Sequence, residues 1–422
     1  MFFRSHRLLL ALILFSVLLL TAAAALAALP AIVRALPGRY AWYLPEPLQA
    51  WRQVEHPDTL PTPFPTATLP PAATSTPSPT GQPAATPSPT PSPIPSPTLP
   101  PALPISVALS GLRHEHQGWN NCGPTTLAMA LSYWGRGETQ YDLAPLLKPD
   151  PEDKNVSPEE MAVVVRSLGL QALVRVGGDL DLLKRLLAAG FPVVVETWYV
   201  RDARDQLGHY RLLVGYDDAT QQFITYDSLH GPDLPIGYQE LDELWRVFNR
   251  VYLVVYPADQ EDALIEILGA DWDAVAAAQR ALDTAQDEAM DPPLDCVAYA
   301  ACRDAETFAW FNIGSSLLAL GEASAAAAAY DQARSLGLPW RTLWYQFGPY
   351  EAYYAVGRYD DVIVLADATL AVVANLEESY YWRGMARLAQ GDVAGARADW
   401  ETALRYHPQW PPALQALQNL GE

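Results

Sequence analysis

The hydrophobic pattern of the chain begins with one long apolar run. From Leu8 to Val33 no charged side chain occurs, and two arginines precede the run. A helix of this length rises about 1.5 Å per residue and can span a hydrocarbon core of about 30 Å. The basic flank is expected to stay in the cytoplasm, which places the following residues outside. We therefore predict a signal anchor in residues 1–34, and the small residues from Ala22 to Ala28 leave a cleaved signal peptide as the alternative.

Residues 35–104 follow this run, and from about Pro57 to Pro104 they carry few apolar positions. About half of the chain's 38 prolines lie between Pro57 and Pro104, among threonine, serine and alanine. Proline removes backbone donors, and too few apolar side chains are present to offset the entropy of ordering. We predict a disordered, extended Pro-rich extracytoplasmic linker that holds the next domain away from the membrane. A recognition motif for a proline-binding groove is the alternative.

From residue 105 to residue 257 the pattern becomes that of a globular domain. Apolar residues recur at helical spacing after Cys122, Ser157 begins a capping-box pattern, and a short apolar helix ends at Gly190. Four apolar or alternating runs follow, with turn residues between them, and these runs predict strands. They read PVVVETWYV, HYRLLVGYD, QQFITYD and RVYLVVYP. Helices followed by consecutive strands predict an α+β domain with an antiparallel sheet.

The remainder of the chain is rich in alanine and has helical periodicity. We predict a helical connector in residues 258–305 and an all-α domain of repeats in residues 306–422. Gly321, Gly357 and Gly391 recur at a spacing close to 34 residues. The first repeat carries Trp310, Ile313, Gly314, Leu317, Gly321, Ala326, Tyr330, Ala333 and Pro339, the degenerate second Tyr353 and Gly357, and the third Tyr380, Gly384, Gly391, Ala396, Trp400, Ala403 and Pro408. This pattern resembles tetratricopeptide (TPR) repeats, which implies a protein-interaction module with an unidentified partner.

Charge and cysteine content limit the possible functions. The chain has 48 acidic and 27 basic residues and a net charge of −21, which argues against a nucleic-acid partner because phosphate binding needs clustered Lys and Arg. Three cysteines are too few for a disulfide scaffold, although Cys296 and Cys302 could form a local disulfide outside the cell. No His or Cys lies close enough to complete a zinc site with them. We predict no metal and no cofactor.

The candidate chemistry is that of a cysteine nucleophile. Cys122 stands directly before a predicted helix, where the positive end of the helix dipole favours the thiolate. A nucleophilic thiol also needs a base. His209 opens a predicted strand beside Gly208, whereas His114 and His116 are too close to Cys122 in sequence. The predicted nucleophile and base are therefore Cys122 and His209.

Two further residues complete the predicted site. Asp227 ends the strand that follows His209, about one hairpin away, and can orient the imidazole. Asp217 and Asp218 are competing carboxylates, but they lie in the turn at the far end of that hairpin. The amide of Gln117, with the backbone N–H of the cysteine, can donate to an oxyanion.

Residues 105–257 resemble the bacteriocin-processing-type cysteine peptidases, family thirty-nine, which are similar in fold to papain. The resemblance is carried by Gln117, by Cys122-Gly123-Pro124, by Gly208-His209-Tyr210 and by Tyr226-Asp227. It implies a papain-like α+β fold, peptide-bond hydrolysis, and catalytic roles for Cys122, His209, Asp227 and Gln117.

The sequence supports three hypotheses of function. The first is a membrane-tethered extracytoplasmic cysteine peptidase that acts on a peptide or protein, with a protein partner on its repeats. The second is a catalytically silent peptide-binding or scaffold protein with the same fold. The third is a transglutaminase-like acyl transferase, because acyl transfer uses the same triad.

Overall fold

The computed structural model describes residues 2–36, 40, 44–49, 57–65, 103–202, 205–293, 295–298 and 303–421. Most of the Pro-rich linker predicted for residues 35–104 therefore lies outside the described residues. Its segment 57–65 is described, and this segment is extended and packed against the C-terminal helices. The described chain otherwise consists of an N-terminal helix, a region built on one sheet, and a helical region.

The N-terminal helix α1 runs from Phe2 to Ala35. Its stretch Phe15–Ala35 has a mean hydropathy of 2.3 and is only 6% buried, so it is long and apolar enough to cross a membrane. A short helix α2 follows at Glu46–Gln49. The structure thus contains the apolar N-terminal helix that the sequence predicts.

The sheet has seven strands, and every pairing between them is antiparallel. The strands are β1 Ser106–Ala108, β2 Gln171–Arg175, β3 Val193–Asp202, β4 Asp205–Asp217, β5 Gln222–Asp227, β6 Gly231–Gly237 and β7 Tyr252–Tyr256. Their order is β2-β7-β3-β4-β5-β6, with β1 paired to β4. Helices and an antiparallel sheet confirm the predicted α+β fold class.

Helices cover both faces of the sheet. In this region they are α3 Cys122–Tyr133, α4 Gln140–Leu147, α5 Pro158–Ser167, α6 Leu180–Ala188 and α7 Tyr238–Trp245. Val194 and Leu212 pack into a cluster with α3, α4 and α5. The alternate residues Val193 and Leu213 pack into a second cluster with α6, α7 and part of the helical region. Because side chains alternate along a strand, each face of the sheet has its own core.

The predicted capping box is formed at the start of α5. The Ser157 hydroxyl accepts from the Glu160 N–H at 3.2 Å, and a Glu160 carboxylate oxygen accepts from the Ser157 N–H at 2.8 Å. Pro158 occupies the first helical position, where a missing N–H is harmless. The chain reverses after α6 at Gly190, whose φ of +89° suits glycine.

The helical region consists mainly of antiparallel pairs. Its helices are α8 Glu261–Leu268, α9 Ala274–Met290, α10 Ala305–Ala319, α11 Ala323–Ser335, α12 Gly348–Ala355, α13 Tyr359–Val372, α14 Glu377–Ala389, α15 Val393–Tyr406 and α16 Pro411–Gly421. A Cβ at Gly314 would stand 2.7 Å from the ring of Tyr330, and one at Gly384 would stand 2.5 Å from that of Trp400. Glycine therefore allows the close helix approach that the pattern predicts, while the TPR assignment stays a prediction.

Several local predictions need correction. β4 begins at Asp205, so His209 is an interior residue of this strand and not its first. Strands β2 and β6 and helices α4 and α7 were not predicted, because their apolar patterns are short.

Cys296 is in a disulfide and Cys122 is free, whereas Cys302 lies outside the described residues.

Candidate active site

The loop that leads into Cys122 is organised by one buried side chain. Gln140, at the start of α4, is 1% exposed. Its carbonyl oxygen accepts from the Gly118 N–H at 2.6 Å and from the Asn121 amide at 3.0 Å. Its own amide donates to a carboxylate oxygen of Glu115 at 2.8 Å and to the carbonyl of His116 at 2.7 Å. Gln140 therefore fixes the backbone before the nucleophile, a role that the sequence did not reveal.

Cys122 is the first residue of α3. The Thr125 N–H donates to the Asn121 carbonyl at 2.9 Å, so the helix begins at the cysteine itself. The backbone N–H of Tyr210, the residue after His209, is directed at the thiol. The nucleophile predicted from the sequence thus lies against the backbone of β4, at the residue that follows the predicted base.

His209 and Asp227 are brought together by the pairing of β4 with β5. Nε2 of His209 lies 3.0 Å from Oδ1 of Asp227, and both side chains are buried. The same Oδ1 accepts from the backbone N–H groups of Leu229 at 2.8 Å and His230 at 3.1 Å. Oδ2 lies 3.3 Å from Nε of Arg211. The carboxylate therefore has partners on both oxygens.

These contacts determine the protonation of the pair. Burial raises the pKa of Asp227, but the hydrogen bond with His209 and the charge of Arg211 outweigh it and hold that pKa well below 3.8. Burial lowers the pKa of His209 below 6.5, although Asp227 acts in the opposite direction. At neutral pH an ionised Asp227 faces a neutral imidazole, so we assign the ring proton to Nε2. Nδ1 is then left with a lone pair that can accept a proton.

The thiol and the imidazole are related through the backbone of β4, because the thiol faces the N–H of Tyr210 and His209 is the residue before it. Tyr210 packs on the α3 side of the sheet, and His209 belongs to the alternate set of β4 side chains with Arg211. Within the described part of the chain, no hydrogen bond joins the His209 ring to the Cys122 sulfur. Catalytic hydrogen bonds are often long before substrate arrives and tighten in the complex.

Gln117 lies at the Asp227 end of the site. Its Oε1 accepts from the Ser228 hydroxyl at 2.7 Å, and its N–H donates to the Ser228 carbonyl at 2.8 Å. The amide nitrogen is thereby turned away from the serine. The ring of His114 reaches the Asp227 carbonyl at 2.9 Å, so this histidine supports the loop that carries the carboxylate.

A small cavity beside the thiol is covered by the helical region. The cavity is lined by Asn120, Cys122, Gly123, Lys154, Asn155, Val156, Glu196, Gly208, Tyr210 and Tyr345. Tyr345 follows the 3-10 turn Thr342–Trp344. The backbone N–H of Gly208 is directed at its phenol oxygen. Nearby, the Asn155 amide donates to the Glu378 carboxylate at 2.9 Å. We call the contact of Tyr345 with this cavity the Tyr345 cover.

The expectation of a stabilised thiolate at Cys122 is wrong for this covered state. The residue keeps partial exposure, yet burial of the thiol raises its pKa from 9.0 to about 11. The N–H groups of Tyr210 and Gly123 lower this pKa, and Glu196 raises it further. Removal of the sulfur from water therefore outweighs the helix N-terminus.

Glu196 is the site residue that sequence reasoning missed. It lies in the middle of β3, opposite Tyr210, and is 4% exposed. Burial raises its pKa well above 4.5, and the adjacent Tyr210 side chain, whose hydroxyl donates to the Val156 carbonyl at 2.8 Å, acts in the opposite direction. A carboxylate within the apolar run VVVETWYV was the available signal, because buried charges need a specific partner.

Metal binding finds no support in the described ranges. Among these residues, no group of three or more His, Cys, Asp or Glu side chains is placed to hold an ion. The candidate site therefore consists of a thiol, an imidazole–carboxylate pair and an amide.

Part of the chain is similar to known proteins. Residues 109–254 match the family model described as Peptidase_C39 like family. No curated protein sequence matches the chain. A crystal structure described as a C39-like peptidase from Bacillus anthracis overlaps the chain with 17% identity and a TM-score of 0.30, covering 36% of this chain and 96% of that one. The Peptidase_C39-like region contains all four predicted site residues and supports a peptidase-type hydrolase.

Proposed function

We propose that the chain is an extracytoplasmic cysteine peptidase tethered to the membrane by α1. The observation that carries this proposal is the His209–Asp227 hydrogen bond on the strand that contacts Cys122. A neutral imidazole oriented by an ionised carboxylate is the base that a thiol nucleophile needs. The family match over residues 109–254 supports the same reaction class.

In the proposed reaction, Nδ1 of His209 takes the proton of Cys122 as its sulfur attacks a peptide carbonyl. The developing oxyanion is stabilised by the Gln117 amide and the Cys122 N–H. His209 returns the proton to the leaving amine, and water then hydrolyses the thioester. Asp227 keeps the imidazole oriented and compensates the charge of the imidazolium.

The membrane-facing arrangement is part of the same proposal. The apolar stretch Phe15–Ala35 would span the bilayer, with the basic N-terminal end inside. A disulfide at Cys296 is compatible with an oxidising compartment. The helical region would bind a protein partner.

A catalytically silent peptide-binding protein is the second candidate, and the Tyr345 cover favours it. Burial keeps the thiol of Cys122 protonated at neutral pH, and Tyr345 lines the small cavity beside it. Under our proposal, removing the cover permits turnover. Under the second candidate, removing it permits only binding.

The test uses the full chain in detergent with denatured casein as the probe, followed by mass spectrometry of the products. We expect the Tyr345→Ala chain to release peptides and the Tyr345→Ala/Cys122→Ala chain to release none. Iodoacetamide should label Cys122, the free thiol, in the first of these chains. Equal product release by both chains would end the proposal, and binding of casein without cleavage would establish the second candidate.

A further inference from the structure

Residues 57–65 form an extended segment that pairs with the backbone of the helical region. Thr59 forms an antiparallel bridge with Pro339. The Leu60 N–H donates to the Leu338 carbonyl at 2.8 Å. An extended peptide that pairs with an exposed backbone edge in this way is a common mode of peptide recognition. The contact is therefore organised as a peptide-binding site and not as a loose surface contact.

One side chain of the segment is an anchor. Leu60 is 4% exposed and belongs to the same buried cluster as Leu338 and Ala333. Its neighbours Thr59 and Thr62 are exposed. One buried side chain between exposed ones is expected for an extended segment that is recognised by a single pocket.

The segment supplies hydrogen-bond acceptors to a buried arginine of the helical region. Arg334 is 1% exposed. Its Nη1 donates to Asp361 at 2.7 Å, its Nε to the Pro61 carbonyl at 2.9 Å and its Nη2 to the Thr62 carbonyl at 3.1 Å. Guanidinium donors that are buried without acceptors are costly. With the segment in place, the successive carbonyls of Pro61 and Thr62 provide two acceptors for this buried guanidinium.

The composition of the segment fits these requirements. Prolines alternate with other residues from position 61 to position 65, so the segment offers carbonyls but few N–H groups. The N–H of Leu60 has its acceptor in Leu338, and the N–H of Phe64 points at Asp361 at 3.4 Å. A proline-rich segment thus leaves few backbone donors to be satisfied when it docks.

We infer that the helical region carries a binding site for extended Thr-Leu-Pro segments, which residues 57–65 fill in this chain. The Thr-Leu-Pro sequence at 59–61 recurs at 68–70 and at 98–100, so the chain itself contains three copies. This inference identifies the chemical class of ligand for the interaction role proposed above. It does not depend on the chemistry of Cys122, so a failed peptidase assay leaves it standing.

The test compares three full chains in detergent: the unmodified chain, an anchor variant with Leu60→Asp, Leu69→Asp and Leu99→Asp, and a control chain with Val163→Asp, Val275→Asp and Val393→Asp. The probe is a fluorescein-labelled synthetic peptide with the sequence of residues 57–65, and the readout is fluorescence anisotropy. The tethered segment competes at an effective concentration on the order of millimolar. All three Thr-Leu-Pro copies lose their leucine in the anchor variant, so no tethered copy refills the site. We expect this chain to bind the peptide at least tenfold more tightly than the unmodified chain. The control chain adds the same charge at three exposed apolar positions outside the segment, so it should behave as the unmodified chain does.

Specificity and folding are checked in the same assay. A probe with Asp in place of its leucine should not bind, and unlabelled peptides covering 66–74 and 96–104 should compete because they contain the other two copies. If circular dichroism shows helix loss in the anchor variant, Leu60→Ser, Leu69→Ser and Leu99→Ser together remove the same leucines without a charge. Absence of peptide binding by a folded anchor variant, or equal binding by all three chains, would overturn the inference.

Discussion

The ring of Tyr345 lies so close to Gly208 that a Cβ built on this glycine would stand 2.9 Å from two carbons of the ring. Gly208 precedes His209 on β4 and lines the same cavity as Cys122. A glycine within a strand often marks the close approach of another group, and here that group comes from the helical region. The Tyr345 cover therefore joins the two halves of the chain at the candidate nucleophile.

Removing the cover should expose the thiol. We expect Tyr345→Ala to raise the rate of iodoacetamide labelling of Cys122 at pH 8 by about tenfold to a hundredfold. Burial holds the pKa of this thiol at about 11, and each unit by which the pKa falls toward its ordinary value gives ten times more thiolate. The rate is followed by mass spectrometry of the intact chain.

A matched tyrosine variant is the control for this experiment. Tyr359 is half-buried in the helical region and packs its ring on Tyr354, outside the residues that line the cavity. Tyr359→Ala should leave the labelling rate of Cys122 within about twofold of the unmodified chain. If both tyrosine variants label equally fast, general loosening and not the cover explains the effect.

Gly208→Ala should destabilise the chain through the same contact. The added methyl overlaps the Tyr345 ring, and overpacking of this kind costs about 1–3 kcal/mol. In the Gly208→Ala/Tyr345→Ala chain the clash is absent, so the cost of the alanine at position 208 should largely vanish. Urea unfolding followed by tryptophan fluorescence measures this difference as a double-mutant cycle. Additive effects of the two substitutions would contradict the contact.

The contrast between the capping box and the Tyr345 cover explains which features the sequence could predict. Ser157 and Glu160 lie within one helical turn, so residue types and spacing determine the contact. Asp227 could be placed opposite the His209 strand because antiparallel strands joined by a short turn have a restricted register. Tyr345 meets Gly208 only through packing of the helical region on the sheet, and no local pattern encodes this contact. Gln140 and Glu196 were missed for a related reason, since their partners come from other elements.

The pH dependence of thiol labelling should report Glu196. In the unmodified chain, labelling of Cys122 should rise steeply only above pH 9, toward the thiol pKa of about 11. The charge of Glu196 raises that pKa, so Glu196→Gln should move the midpoint of the rise to lower pH. Glu240 is exposed and outside the cavity lining, and Glu240→Gln should leave the midpoint unchanged. An unchanged midpoint in Glu196→Gln would show that the carboxylate does not act on the thiol.

Asp227 should affect the pKa of His209 and the stability of the fold in ways that can be separated. In a Tyr345→Ala chain whose thiol is assisted by the imidazole, labelling should fall as pH decreases through the His209 pKa, which lies below 6.5. Asp227 raises this pKa, so adding Asp227→Asn should move the acid limb to lower pH. It should also lower the rate above the limb by about 10²- to 10⁴-fold, the usual contribution of a positioned base. If the labelling rate shows no fall through the His209 pKa at low pH in either chain, His209 is not the base.

The stability effect of Asp227→Asn has a defined direction with pH. The folded-state pKa of Asp227 is depressed, so its stabilisation is present above the unfolded value of 3.8 and is lost as pH falls toward the folded value. At pH 7 the variant leaves Arg211 buried without its anion and should unfold about 3–5 kcal/mol more easily. This difference should shrink below pH 3.8, where the carboxyl becomes protonated in the unfolded chain. Asp217→Asn is the control, because its carboxylate lies at the far end of β4 and accepts from the Ala219 N–H. It should change neither the pH at which labelling falls nor the free energy of unfolding by a comparable amount.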